Sequence, residues 1–380
     1  MPTQQALYAD LAERSFDPEL SWAEHELPER LRTKHVHRLH PYLGKFVPQL
    51  VERFLTRHFR PGQRILDPFA GSGTTLVECT TFGANSVGVD VSAFNVLLSS
   101  VKTGRYDAAA VERDLVAVLQ AAEDATGEPA GVPPGVPPGE YLRTWYHPDA
   151  LGQLLRYRTA VCEQAEHADL ARVVLSRAAR SARLTTHFEL DFPRTPQIGP
   201  YQCRKHSRVC APTADAAKFL RRYTLDTIRR VREYADLRAE VRAEVLHADA
   251  RCADYGVRLD GLITSPPYPG RIDYHEQHRY AFELLGLDER RADEIGAPWR
   301  GTGRAAIDAY VGDMTAVFAN ARRFLAPGAP VVLVVDDSRE LFGTILADAG
   351  MRIRDQRLRH VNRRTGRRAG EFYEQVIVAT

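Results

Sequence analysis

Arg64-Ile65-Leu66-Asp67-Pro68-Phe69-Ala70-Gly71-Ser72-Gly73-Thr74-Thr75 decides the fold. A short apolar run ends in Asp-Pro, passes two glycines, and continues into Leu76, Val77 and Cys79. That order reads as strand, tight turn, helix. Gly71 and Gly73 let backbone approach a ligand closely, as glycines do after the first strand of a dinucleotide-type fold. A second strand, Ser86–Asp90, follows, and Asp90 lies 23 positions after Asp67. An acidic residue at an offset of roughly 20 meets ribose hydroxyls in such folds. The turn has no Walker lysine, which argues against triphosphate, and no third glycine follows Gly73.

A second signal lies far downstream, Leu262-Ile263-Thr264-Ser265-Pro266-Pro267-Tyr268. Leu262 and Ile263 read as a buried strand that two prolines stop abruptly. Prolines remove donors and stiffen the turn, so the carbonyls of Ser265 and Pro266 keep fixed directions, with the aromatic face of Tyr268 beside them. Rigid acceptors for an amino group and a ring to stack on suit a planar heterocyclic amine taken out of a base stack. The same residues also suit an ordinary strand-ending turn.

Together, the two stretches resemble the amino-methyltransferases of DNA, which methylate an exocyclic amine with S-adenosylmethionine. The resemblance implies that Asp67–Thr75 is the cofactor loop, with Asp67, Pro68, Phe69, Ala70, Gly71, Ser72, Gly73, Thr74 and Thr75 as cofactor-binding residues. It places the ribose at Asp90, with Val91 beside it, and catalysis at Ser265, Pro266, Pro267 and Tyr268. His40-Pro41-Tyr42-Leu43-Gly44-Lys45-Phe46-Val47-Pro48 looks like the family's N-terminal cofactor-side motif, which adds Lys45 and Phe46. Serine at the head of the catalytic loop is typical of cytosine-N4 enzymes and aspartate commoner in adenine-N6 enzymes. The expected activity is therefore cytosine-N4 methylation of a flipped base in double-stranded DNA, with a cognate restriction endonuclease as partner. The alternatives are adenine-N6 methylation, an RNA base methyltransferase, and a DNA-binding protein with a degenerate methyltransferase fold.

Composition sets the frame. The 380 residues are 44% hydrophobic and 26% charged, as in soluble globular proteins. No apolar run approaches the ~20 residues of a membrane span. Met1–Gln5 lacks a basic or apolar leader, and five scattered cysteines give no disulfide framework, so a cytoplasmic location is expected. The net charge of +2 hides two clusters: nine Lys/Arg against three acids over 201–235, and eight arginines against Asp355 over 351–370. Such faces suit phosphate contacts, and solvated helix faces are the plainer reading of each. Arg204, Lys205 and Arg208 are candidates for reading DNA, and Arg363, Arg364, Arg367 and Arg368 for gripping its backbone.

Along the chain, residues 1–35 read as polar and helix-like, and Val47, Leu50, Val51, Phe54 and Leu55 fall at helical spacing. The block 105–243 interrupts the α/β rhythm. It carries helical patterns over Arg105–Ala125, Pro148–Leu184 and Thr213 toward Val245, a Pro/Gly connector at 128–139, and irregular chain over Thr185–Pro212. It is read as a mostly helical insertion and target-recognition region within a catalytic domain of residues 1–104 and 244–380. Glu244–Arg251 reads as strand three, ending in Asp249, which with Ala250 is placed to meet the cofactor's adenine. A helix is expected over Asp273–Leu285, a buried strand over Ala329–Val335, and a terminal hairpin from Arg352–Val361 and Glu371–Ala379. By resemblance this is an α/β, Rossmann-like, seven-strand S-adenosylmethionine methyltransferase fold. Cys203, His206 and Cys210 offer three metal ligands in eight residues without a clear fourth, so a basic loop is expected there and no metal.

Overall fold

The computed structural model describes residues 16–44, 46–126, 138–185, 195–203, 206–361 and 372–380. Lys45, most of the Pro/Gly connector, Arg204, Lys205 and the arginines at 363–368 lie outside the described residues.

The strands are β1 (Arg64–Asp67), β2 (Asn85–Asp90), β3 (Tyr201–Cys203), β4 (Arg208–Cys210), β5 (Ala243–His247), β6 (Gly261–Thr264), β7 (Val331–Val335), β8 (Ile353–Val361) and β9 (Phe372–Ala379). Seven of them form one sheet in the order β5-β2-β1-β6-β7-β9-β8. β5, β2, β1, β6 and β7 are parallel, and β9 runs antiparallel to β7 and β8. The order reverses between β1 and β6, so their carboxyl ends flank the crevice where open α/β sheets bind ligands.

The short apolar strands are buried on both faces because alternate side chains point to opposite sides. Ile65, Ile263, Val332, Val334 and Val376 pack with Leu50, Val51, Phe54 and Leu55 of the helix Pro48–His58. Leu66, Leu262, Val331, Leu333 and Val335 pack on the other face with Met314, Val317 and Phe318 of the helix Arg304–Arg322 and with Ile345 and Leu346. Each such side chain contributes roughly 1.5–3 kcal/mol by burial.

The helices Ala108–Asp124, Pro148–Gln164, Ala168–Ala182 and Ala217–Ala235 form a third body. Val111, Leu115, Leu154, Val174, Leu220 and Val231 share one cluster with Phe94, Leu97, Leu98 and Val101 of the helix Ala93–Thr103, which follows β2. The inserted block is therefore packed onto the scaffold. Buried Asp114 holds the joint at 165–167, accepting from the amides of Glu166 (3.0 Å) and His167 (2.6 Å).

Several elements depart from the sequence pattern. Pro148–Leu184 is two helices joined through His167, and the helix expected to reach Val245 stops at Ala235. The stretch read as irregular contains the β3–β4 hairpin. Asp273–Leu285 is divided at His278 into Tyr274–Gln277 and Arg279–Leu285. Of the described N-terminal segment, residues 16–22 run beside the sheet edge: Phe16 and Trp22 bridge Leu358 and Val361 of β8, and the Asp17 amide donates to Leu358 O (2.9 Å), while Glu29–Arg32 forms a single helical turn. Tertiary partners outweigh weak helical propensity there. Strand β5 ends at His247, two residues before Asp249. No described helix is long and apolar enough to cross a membrane.

Candidate active site

The turn after β1 is held by hydrogen bonds from three sides. Gly71 and Gly73 sit at φ +49° and +77°, a region costly for other residues. A Cβ on Gly73 would stand 3.0 Å from the backbone of Ser99, and one on Gly71 3.0 Å from the Tyr42 hydroxyl. Ser99 Oγ donates to Gly71 O (2.8 Å), and buried Lys102 Nζ donates to Ser72 O (2.9 Å).

Asp90 closes the turn from the end of β2. Its Oδ2 accepts from the amide of Gly71 (2.9 Å) and from Asn95 Nδ2 (3.1 Å), and its Oδ1 accepts from the Ser92 amide (2.8 Å). A carboxylate has about four lone-pair sites, so three donors leave one for a ligand. Burial raises this carboxyl to about 6 against the pull of those donors. Asp67 is likewise raised to about 6 by burial; it accepts from Thr264 Oγ1 (2.6 Å) and the Phe69 amide (3.1 Å).

A narrow cleft runs from this turn to the catalytic loop. Pro68, Phe69, Gly71, Asp90, Val91, Asp249, Ala250, Ser265 and Pro267 all line it. Asp67, Ala70, Ser72, Gly73, Thr74 and Thr75 stand behind the lining and set its shape. Tyr42 of the N-terminal motif lines it too, with Asn95, Tyr274, His275, Glu294 and Ile295, which the sequence does not single out as cofactor residues. The rings of Tyr42 and Tyr274 stack at 5.5 Å and 15°. Glu294 is buried and accepts from the Tyr274 amide (2.7 Å) and from His275 Nδ1 (3.1 Å). The Arg290 amide donates to His275 Nε2 (3.3 Å), which places the ring proton on Nδ1.

Two expectations change. Phe46 lies on the far side of the catalytic loop, outside the cleft lining, because it packs with Trp22 and Val47 against the cluster on the Pro48–His58 face. Asp249 does line the cleft, but Arg251 grips its carboxylate (2.7 Å from Nη2) while also reaching Asp313 (2.6 Å). The Arg251 guanidinium holds the Asp249 carboxyl below its usual range against the opposing effect of burial.

The catalytic loop separates the cleft from a wider basin. Ser265, Pro267 and Tyr274 line both. Pro266, Tyr268, Phe46, Val47, Arg271 and Ile272 line the basin, with Asp336, Arg359 and Glu374 at its wall. Ser265 Oγ donates to Val334 O (3.0 Å), so its proton is spent on β7 and its lone pairs remain for a donor. Tyr310 OH donates to the Pro267 carbonyl (2.9 Å). Tyr268 OH reaches Glu374 Oε1 (3.4 Å), which anchors the far edge of its ring, and Arg271 pairs with Asp336 (2.6 Å). Of the DNA candidates, described Arg208 is exposed on β4.

These residues suit S-adenosylmethionine. The ribose would meet Asp90, the adenine would lie among Phe69, Ile295 and Ala250, and buried Asn95 Oδ1, which has no partner among the described residues, offers a further acceptor.

Comparison with known proteins agrees. Residues 8–99 match the DNA methylase family. The chain is 32% identical over 430 aligned positions to Type II methyltransferase M.MjaII of Methanocaldococcus jannaschii, covering 92% of this chain and 81% of that one. It is 39% identical over 70 residues to Type II methyltransferase M.MvaI of Kocuria varians, covering 18% and 15%. Among solved structures, TrmN from Thermus thermophilus aligns over 89% of this chain and 49% of its own, at 13% identity and a TM-score of 0.35. With a seven-strand fold, its cofactor crevice and a relative matched along nearly the whole chain, this protein belongs to the S-adenosylmethionine-dependent amino-methyltransferases of DNA.

Proposed function

We propose that this enzyme methylates the exocyclic N4 amine of a cytosine flipped out of duplex DNA. The observation that carries this reading is Ser265, whose hydroxyl is committed to Val334 O and whose lone pairs sit where cleft and basin meet. An aromatic amine is a weak nucleophile because its lone pair is delocalised into the ring. Ser265 Oγ and the Pro266 carbonyl accept its two N–H bonds, which shifts the nitrogen toward a tetrahedral form and aims its lone pair at the cleft. The bound cofactor supplies an electrophilic methyl group on a sulfonium. Tyr268 stacks on the flipped base, and the nitrogen, once methylated, gives one proton to water in the basin. Fixed positioning of the amine supplies most of the acceleration.

Serine at the head of the loop favours cytosine over adenine as target. The inserted block 105–243 is the proposed target-recognition region, with Arg208 among its base-reading candidates. The Type II names of both curated relatives support a site-specific role alongside a cognate restriction endonuclease. Nucleoside mass spectrometry of DNA and RNA from a host expressing the chain tests the reading. N4-methylcytosine is the expected product; N6-methyladenine would move the target, and transfer to RNA alone would reject a DNA substrate.

A further inference from the structure

The β3–β4 hairpin is too small to hold itself. Each strand has three residues, and Val209 in the middle of β4 is 64% exposed. A two-stranded ribbon of this size is marginal in water without an added constraint. Its register pairs Tyr201 with Cys210 and Cys203 with Arg208, so all four side chains leave the same face. Cys203 and Cys210 are therefore diagonal neighbours, both buried, and the turn brings His206 over them. The His206 amide donates to Cys203 Sγ (3.4 Å), and His206 Nδ1 lies 3.2 Å from Cys210 Sγ. The three ligand atoms lie within 4.8 Å of one another.

We propose that Cys203, His206 and Cys210 bind a structural zinc ion. Zn–S and Zn–N bonds of about 2.3 and 2.0–2.1 Å set tetrahedral edges of about 3.8 Å between sulfurs and about 3.6 Å from sulfur to nitrogen. The observed spacing reaches those edges with small side-chain shifts. Binding displaces the two thiol protons to solvent, and two thiolates with a neutral imidazole cancel the charge of the ion. A neutral cluster is what buried sulfurs tolerate. A structural site is closed by four protein donors, so one further donor completes the tetrahedron. The other three-ligand group, His35, His37 and Glu78, behaves differently: the Lys34 ammonium sits 2.9 Å from Glu78 Oε2 and supplies the cation itself. From the sequence, three donors in eight residues without a clear fourth point to a basic loop and no metal. The register gathers them at one point and explains how so short a ribbon presents Arg208 in a fixed position.

The site is independent of the proposed reaction, and its readout is metal content. Untagged full-length protein, purified reduced and without chelator, should carry about one zinc per chain by elemental mass spectrometry, the stoichiometry of a single structural site. The Cys203→Ser/Cys210→Ser variant should lose it, while Cys162→Ser/Cys252→Ser, which alters exposed cysteines, should keep it. Should the hairpin variant fail to fold, cobalt exchanged into the unaltered protein must show thiolate charge-transfer bands and intense tetrahedral visible bands. No bound metal in reduced protein, weak octahedral cobalt bands, or a native disulfide between Cys203 and Cys210 would each overturn the proposal.

Discussion

The cleft proposed for the cofactor and the basin proposed for the target base share a wall but are built in opposite ways. The cleft is shaped first by backbone: the Asp67–Thr75 turn, with Gly71 and Gly73 at positive φ, closed by amide donors onto Asp90. The basin is shaped by side chains that arrive from residues as far apart as Phe46, Arg271, Asp336 and Glu374. A ligand with one fixed shape is met by a turn that few sequences can form.

That contrast breaks most visibly at the shared wall. Ser265→Ala should lower methyl transfer about a hundredfold or more, the scale of lost positioning and charge stabilisation, while cofactor affinity stays within a factor of about two. Tyr268→Ala should behave alike. Equal loss of cofactor binding, measured by calorimetry, would mean that the two cavities are one energetic unit.

Asp90 sharpens the comparison from the cofactor side. Asp90→Asn keeps the size of the side chain and removes the charge. It should weaken cofactor binding about tenfold to a hundredfold, since a charge-assisted hydrogen bond contributes ~1.5–3 kcal/mol. Turnover at saturating cofactor should change far less. Unchanged affinity in folded protein would remove Asp90 from the ribose site.

The same carboxylate gives a pH signature. Asp90 titrates at about 6, and the ionised form is the better acceptor for hydroxyl donors. Affinity should therefore be level above that value and fall as pH drops through it, approaching tenfold per unit well below. The Asp90→Asn variant should flatten this limb. A limb that persists in the variant would point to another group, with Asp67 the first to test.

Tyr310→Phe should have the smallest effect. It removes the donor to the Pro267 carbonyl without touching either cavity's acceptors, and one neutral hydrogen bond of ~0.5–1.5 kcal/mol corresponds to about a two- to tenfold loss of turnover. A loss as large as that of Ser265→Ala would show that the loop is held at one point.

How much was legible follows from how local each feature is. The strand-turn-helix at Arg64–Thr75, Asp90 and the Ser265–Tyr268 loop each carry their meaning within a few neighbours. Gly71 and Gly73 answer a backbone need, and the paired prolines stop a strand wherever they occur. Tyr42, Tyr274 and Glu294 are ordinary residues in local context, and only the fold stacks the two rings and ties Glu294 to the Tyr274 amide. Phe46 lines the basin side of the loop, a position that a linear motif does not show. Arg251 was passed over because its grip on Asp249 is visible only in three dimensions.

By itself, the sequence determined the alternation that builds a parallel sheet, the turn at its switch point and the proline-stopped loop that faces it. These depend on backbone dihedral limits and on the period of apolar side chains, which are properties of neighbours in the chain. Tertiary structure alone decided which acids remain open to a ligand and where Ser265 spends its proton. Those depend on donors and packing surfaces supplied across 69 positions for Ser265 and Val334 and 157 for Asn85 and Arg242 at the β2–β5 edge, distances over which no local pattern carries information.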